Sequence, residues 1–156
     1  DMSRLTRLCI VGDGPEKQNY ADLINSLCLN DKIKLYPFAQ DIRPWLWCAD
    51  LFVQPSQEPE GFSLMLLEAM ATGLPAIATA IGGTTDIICD GENGWLTRIS
   101  DYLELSEKIY IAISQPESLK RIAKAAQNAA ATFNVADIAV ETINLYEKIL
   151  TNMGRK

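Results

Sequence analysis

The sequence predicts an α/β protein built on a doubly wound parallel sheet. Two observations support this fold class: short buried strands alternate with helical segments along the chain, and those strands are apolar throughout. Strands of this kind are typical of parallel sheets that helices cover on both faces. Right-handed crossovers then make the sheet doubly wound, and ligands of such sheets bind beyond the carboxyl ends of the strands.

The chain length indicates a single domain. A chain of 156 residues, 48% of them hydrophobic, can bury one good core but is too short for two ordinary domains. The sequence contains no low-complexity linker and no internal repeat. We therefore predict one domain over residues 1–156, with residues 133–156 as its C-terminal helix.

The first third of the chain predicts three strands separated by two helices. An apolar strand at 5–11 closes on a glycine-rich turn, and Pro15 suits the first position of a helix that runs to about Leu27. The next predicted elements are a strand at 33–36 that Pro37 ends, a helix at 42–49 with Pro44 near its start, and a strand at 51–53.

The remaining chain predicts two further strands and mostly helix. The run from Phe62 to Thr72 has the composition of a buried helix, which Gly73 would cap. The elements after it are a strand at 76–78, one helical turn at 85–89, a polar turn at 90–94, a strand at 95–96, and helices at 101–114, 116–132 and 135–151.

Composition excludes several classes of function. The net charge is −6 and no cluster of Lys and Arg occurs, which argues against a nucleic-acid partner. Histidine is absent, so His-based triads and His-ligated zinc are excluded. No Asp-x-Asp motif is present, and we predict neither a metal nor another cofactor.

Two further features predict a cytoplasmic protein without a membrane span. No apolar run approaches the length of a membrane-spanning helix, and the first twenty residues lack the continuous apolar region of a signal peptide. The four cysteines form no Cys-x-x-Cys pair, and we interpret them as small buried hydrophobes in a reducing compartment: Cys9, Cys28, Cys48 and Cys89.

The segment after the third strand is the most informative part of the chain. A helix that begins near Phe62 directs unpaired N–H groups and the positive end of its dipole toward the binding edge of the sheet, which suits a diphosphate. Gly61 allows the backbone to approach such a ligand closely. Glu68 interrupts the apolar helix, so its carboxylate should either reach solvent or meet hydrogen-bond donors, such as the two hydroxyls of a ribose. Glu60, ahead of the helix, would then lie on the far side of the phosphates.

A simpler interpretation stays open at this point. Glu60 would belong to a solvated acidic loop, and Glu68 would be the exposed residue of an amphipathic helix, because most carboxylates are surface charges.

Five segments, in order, resemble the group 1 (family 4) retaining glycosyltransferases of GT-B fold, which pair two Rossmann-like domains across a cleft. The segments are IVGDGPE, ADLFVQPS, EGFSLMLLEAMATGLPAIAT, GGTTDII and DGENGWL. The resemblance implies that the chain is the C-terminal, nucleotide-sugar-binding half of such an enzyme. It also implies that the first strand-helix unit of this half and the N-terminal acceptor domain are missing.

The resemblance also implies roles for individual residues. Glu60 would be the catalytic-site residue and would contact hydroxyls of the donor sugar to position it, and Glu68 would bind the ribose. The diphosphate would be held by the amides of Gly61, Phe62, Ser63 and Leu64. Phe38, after the second strand, would lie against the nucleobase, although it could equally be a core aromatic residue.

The sequence departs from the family pattern at several positions. Ser63 and Pro37 stand where glycine is common, and Asp86 stands where glutamate is usual. Ser63 could cap the helix and donate to phosphate. The basic Arg and Lys pair that neutralises the diphosphate is absent, and Arg4 and Arg7 do not match it.

The implied function is retaining transfer of a glycosyl group from a UDP-, GDP- or ADP-sugar to a glycan, lipid or other acceptor. The two-domain parent would be a hexosyltransferase-type enzyme, with the cytoplasmic membrane face as one possible location, and the isolated domain would be inactive. One alternative is a non-catalytic nucleotide-binding or interaction module. A dinucleotide-dependent oxidoreductase fits less well, because Lys17 replaces the third glycine of its fingerprint.

Overall fold

A computed structural model of the protein describes residues 6–59 and 61–153 and confirms an α/β architecture with parallel sheets. The chain divides into two compact units, Asp1–Ile42 and Arg43–Lys156. The described strands form two sheets of two and three strands, where the sequence predicted one. The single domain and the missing first strand-helix unit stay predictions.

The first unit is a β-α-β arrangement. Its elements are β1 (Leu8–Val11), α1 (Lys17–Ser26) and β2 (Ile33–Tyr36). β1 and β2 pair in parallel, with Leu8 opposite Ile33 and Val11 opposite Tyr36. The helix begins two residues after Pro15, because the turn that follows β1 continues through Glu16.

The second unit contains the three-stranded sheet, in the order β3-β4-β5. Its strands are β3 (Phe52–Gln54), β4 (Ala76–Thr79) and β5 (Trp95–Thr97). Its helices are α2 (Arg43–Cys48), α3 (Leu64–Ala71), α4 (Thr84–Ile87), α5 (Tyr102–Ser114), α6 (Pro116–Ala130) and α7 (Val135–Met153). All three strands run parallel, as predicted.

Helices cover both faces of this sheet. The central strand β4 is buried along its whole length, and its side chains alternate between two apolar clusters. On one face Ala76 and Ala78 pack with residues of α3 and α6, and on the other face Ile77 packs with Trp95 and Ala112. This arrangement confirms the prediction of a sheet covered on both sides, and α6 contributes to both clusters through Ile122 and Ala126.

The ends of α3 follow from specific residues. The helix begins at Leu64, two residues later than predicted, because Ser63 has an extended backbone and caps the helix with its side chain. Gly73 has φ +80°, and its N–H donates to the carbonyl of Met70 at 2.9 Å. The predicted glycine stop after this helix is therefore confirmed.

The prediction that the four cysteines are buried is wrong, since all four are free and exposed. Cys28 lies in the turn after α1 with φ +55°, and Cys48 is the last residue of the short helix α2. These positions at element ends lie outside the cores, although their neighbours in sequence are apolar.

The helix α7 has no buried residue among its nineteen. Apolar side chains along it, such as Val135 and Leu150, are exposed. No helix in the described part of the chain is long and apolar enough to cross a membrane.

Candidate functional site

The predicted donor-binding residues follow β3, at the edge where its carboxyl end meets the start of α3. β3 ends at Gln54, and α3 starts ten positions later at Leu64. Glu60, the predicted sugar-binding acid between them, lies outside the described residues. The neighbouring residues on both sides define the local geometry.

Ser63 anchors the start of α3. Its side chain is 3% exposed, and its Oγ accepts a hydrogen bond from the N–H of Leu66 at 3.4 Å. The same hydroxyl donates to Oε1 of Gln54 at 2.9 Å. Ser63 is therefore the predicted helix cap, and its proton is directed at Gln54.

Gly61 is held by a close approach of the loop that follows β4. A Cβ atom on Gly83 would lie 2.2 Å from the carbonyl oxygen of Gly61 and 3.4 Å from Cα of Phe62. Real side chains do not reach such distances, so position 83 must be glycine for the two loops to pack as they do. The loop after β4 thus supports the backbone of the predicted diphosphate segment.

Phe62 is partly exposed, and its ring packs against another aromatic ring of the same unit. Its ring lies 5.4 Å from that of Phe133, at an interplanar angle of 57°, which is a favourable tilted packing. The residue is still 43% exposed. The ring contact with Phe133 therefore fixes the approach to α3.

The first turn of α3 presents the groups that an anion requires. Leu64 and Met65 occupy its first two positions, where N–H groups have no carbonyl partner within the helix. No acidic residue lies in this turn to oppose the helix dipole. With a diphosphate, the positive end of the helix would offset the unfavourable net charge of the protein locally.

Glu68 lies on an exposed face of α3. It follows Leu64 by one helical turn, and Leu64 and Met65 on the same face are 67% and 39% exposed. Glu68 reaches solvent, which is one of the two outcomes that the sequence allowed, and the buried face of α3 consists of Leu66, Ala69 and Met70. The Glu68 carboxylate makes no hydrogen bond or ion pair with residues 6–59 or 61–153. It is therefore open to a ligand that brings its own donors.

Phe38 lies at the carboxyl end of β2 in the first unit. It is 72% exposed, so the alternative of a core aromatic residue is wrong. Its N–H donates to the carboxylate of Asp13 at 2.7 Å, and Asp13 also pairs with Lys17. These two contacts, the Lys17 hydrogen bond first, lower the pKa of Asp13 below its ordinary value of 3.8. A surface cavity of about 390 Å³ adjoins Asp13, between Tyr20 and Leu35.

The DGENGWL segment has a structural role in the second unit. Asn93 is buried, accepts from the N–H of Cys89 at 2.8 Å and donates to the carbonyl of Ile87 at 3.0 Å. Asp90 accepts from the N–H of Leu96 and pairs with Lys108. The side chains of Asp90 and Asn93 thus find their partners within the protein, whereas Glu92 of the same turn is exposed.

Sequence reasoning missed two contributors to the site geometry. Gln54 is a polar residue at the end of an otherwise apolar strand, and that position could have indicated a role at the binding edge. Gly83 stands in the GGTTDII segment, but its contact with Gly61 depends on how two loops meet in space. Asp86 of the same segment is exposed on α4.

No group of three or more His, Cys, Asp or Glu side chains that could hold a metal ion occurs within the described ranges. The expectation that the protein needs no metal stays a prediction.

Comparisons with known proteins identify the family and the fold of the chain. Residues 3–129 match the sequence model of the family described as glycosyl transferases group 1. The chain is 32% identical over 140 residues to a putative glycosyltransferase, EpsD, of Bacillus subtilis. This match covers 90% of this chain and 36% of EpsD. It is 34% identical over 148 residues to an exopolysaccharide phosphotransferase of Streptomyces coelicolor, covering 94% of this chain and 15% of that protein.

A solved structure is also similar. HepE from Anabaena, determined in complex with UDP, superposes with a TM-score of 0.84 at 29% identity, and the match covers 92% of this chain and 41% of HepE. This chain thus spans less than half the length of each of these three relatives. The sequence match and the shared fold together place the chain in the group 1 family of glycosyl transferases.

Proposed function

We propose that this chain binds the nucleoside diphosphate of a nucleotide-sugar donor and is the donor-binding part of a retaining glycosyltransferase. The observation that carries the proposal is the start of α3, where the exposed residues Gly61 and Phe62 lead into a capped helix whose first N–H groups have no carbonyl partner within the helix. Membership of the family supports it, and so does UDP in the similar structure of HepE.

Each part of the second-unit site has a proposed role. The amides from Gly61 to Leu64 hold the diphosphate, and the carboxylate of Glu68 accepts hydrogen bonds from the ribose hydroxyls. Glu60 positions the donor sugar. When the bond to the leaving diphosphate breaks, negative charge grows on the phosphates and positive charge on the anomeric carbon, so the helix dipole stabilises the leaving group.

For the first unit, we propose that Phe38 contacts the nucleobase. An aromatic side chain that is 72% exposed has the area to stack on a base, and the Asp13 carboxylate fixes its backbone. The donor in this proposal is a UDP-, GDP- or ADP-sugar, so the base is uracil, guanine or adenine.

The proposal for the whole protein extends beyond the described chain. Transfer requires an acceptor domain in the parent and proceeds without a metal, because the sequence has no Asp-x-Asp motif. The four free cysteines favour a reducing compartment, and we place the parent in the cytoplasm.

Calorimetric titration of the protein with UDP, GDP, ADP, NAD and inorganic pyrophosphate tests the proposal. We expect one nucleoside diphosphate to bind and pyrophosphate to compete with it, because both would occupy the start of α3. Binding of NAD alone would support the oxidoreductase alternative. Binding of a nucleotide without donor hydrolysis or transfer by the full-length protein would support the non-catalytic module.

A further inference from the structure

Gln54 joins the two ends of the segment that carries the proposed diphosphate site. Its Nε2 donates to Oγ of Ser56 at 3.3 Å, just after β3, and its Oε1 accepts from Oγ of Ser63 at 2.9 Å, just before α3. One side chain from the last position of β3 therefore contacts both the beginning and the end of residues 55–63.

The Ser63 hydroxyl makes this contact directional. A hydroxyl has one proton, and here that proton goes to Gln54, so the oxygen lone pairs point to the N–H of Leu66. Ser63 is 3% exposed, and a buried hydroxyl that loses its acceptor is costly. Gln54 thereby fixes both the rotamer of Ser63 and the cap of α3.

We propose that Gln54 is a positioning residue for donor binding, which acts through Ser63 to hold Gly61, Phe62 and the first amides of α3 in place for the diphosphate. The inference rests on the proposed function for its ligand. Gly83 holds the same backbone from the loop after β4, so the segment is supported from two strands of the sheet.

The first test measures, without a ligand, whether the hydrogen bonds of Gln54 hold the cap of α3 in place. Gln54→Met keeps the length of the side chain and removes both hydrogen bonds. In the full-length protein, we expect the amide of Leu66, which is buried and donates to Oγ of Ser63, to exchange hydrogen about tenfold faster, with β4 unchanged, since a hydrogen bond contributes about that factor. Unchanged exchange at Leu66 would overturn the proposal.

The second test measures the effect on donor binding. The dissociation constant of the tightest-binding nucleoside diphosphate should rise about tenfold in Gln54→Met, while that of the matching nucleoside should not change. Ser63→Ala should have the same effect, and the double variant should be no weaker than either single one, because both act through one contact. Equal weakening of nucleoside and diphosphate, or multiplied effects in the double variant, would contradict the positioning role.

A matched control separates this role from a general loss of a helix cap. Asp101 caps α5 in the same unit by accepting from the N–H of Glu104 at 2.9 Å. Asp101→Ala should lower thermal stability but leave diphosphate binding unchanged. If the unaltered protein binds no nucleotide, the proposed function fails, whereas the exchange measurement still decides whether Gln54 holds the segment.

Discussion

Two glycine-containing segments of the second unit both carry carboxylates yet use them differently. In the turn at 90–94, the side chains of Asp90 and Asn93 form hydrogen bonds and an ion pair with other groups of the protein. At the start of α3, the groups with internal partners are uncharged, namely Ser63 and Gln54, and the carboxylate of Glu68 is exposed. Asp90 and Asn93 therefore have their partners without a ligand, although Glu92 beside them is exposed, whereas the start of α3 combines an exposed carboxylate with N–H groups that a ligand can use.

The difference teaches how to separate structural motifs from binding motifs within one family signature. Both segments belong to the resemblance seen in the sequence, and both contain acid and glycine. Hydrogen-bond partners divide them: removal of a satisfied buried group destabilises the fold, whereas removal of an exposed acceptor affects only binding. The predictions below change one segment at a time.

The largest effect is expected for Gly83→Ala, which forces the loop after β4 away from Gly61. A Cβ at 2.2 Å from a carbonyl oxygen cannot be accommodated without backbone movement. We expect unfolding free energy to fall by about 1–3 kcal/mol, and transfer by the full-length protein to fall by about a hundredfold from misplacement of the site. Urea unfolding and a transfer assay measure the two effects.

Gly14→Ala is the matched control, because no atom lies within 4 Å of a Cβ at that position. Normal activity of Gly83→Ala would show that the two loops need not touch.

A smaller effect, confined to stability, is expected for Asn93→Ala. The substitution leaves the N–H of Cys89 and the carbonyl of Ile87 without their partner. We expect a loss of about 1–3 kcal/mol in unfolding free energy and an unchanged nucleotide dissociation constant. Glu92→Ala, at the exposed neighbouring position, should change neither quantity. Weakened nucleotide binding in Asn93→Ala would mean that the turn belongs to the site.

The smallest effect is expected for Glu104→Gln, and it concerns how thermal stability depends on pH. The backbone N–H and then the side chain of Arg98 donate to Glu104 and lower its pKa below the ordinary value of 4.5. The pair therefore stabilises the fold above that value, and this contribution is lost as the pH falls through the lowered pKa. The melting temperature of Glu104→Gln should lie below that of the unaltered protein at pH 6, and the gap should close toward pH 3. A constant gap would exclude this linkage.

Much of the second unit could be predicted from the sequence. The continuous apolar character of Ala76–Thr79 predicts a strand buried on both faces, and Gly73 predicts the end of α3. The positions of Gly61 to Leu64 at the start of a helix follow from the same reasoning. These features depend on local composition and on backbone preferences that act over a few residues.

The rest depended on contacts between segments distant in sequence. The local sequence does not show that Leu64 and Met65 lie on an exposed face of α3, because the burial of an apolar face depends on which other elements pack against it. The partner of Ser63 lies nine positions away, and the neighbour of Gly83 lies in another loop. The exposed cysteines were missed for the same reason.

Calorimetry on Glu68→Ala tests the central claim most directly. The account predicts that the dissociation constant of the bound nucleoside diphosphate rises about 10- to 100-fold, as expected for lost hydrogen bonds to a charged group, with no change in thermal stability because the side chain is exposed. Glu107→Ala, an exposed glutamate on α5, should bind like the unaltered protein. Equal affinity of Glu68→Ala and Glu107→Ala would contradict the assignment of the site.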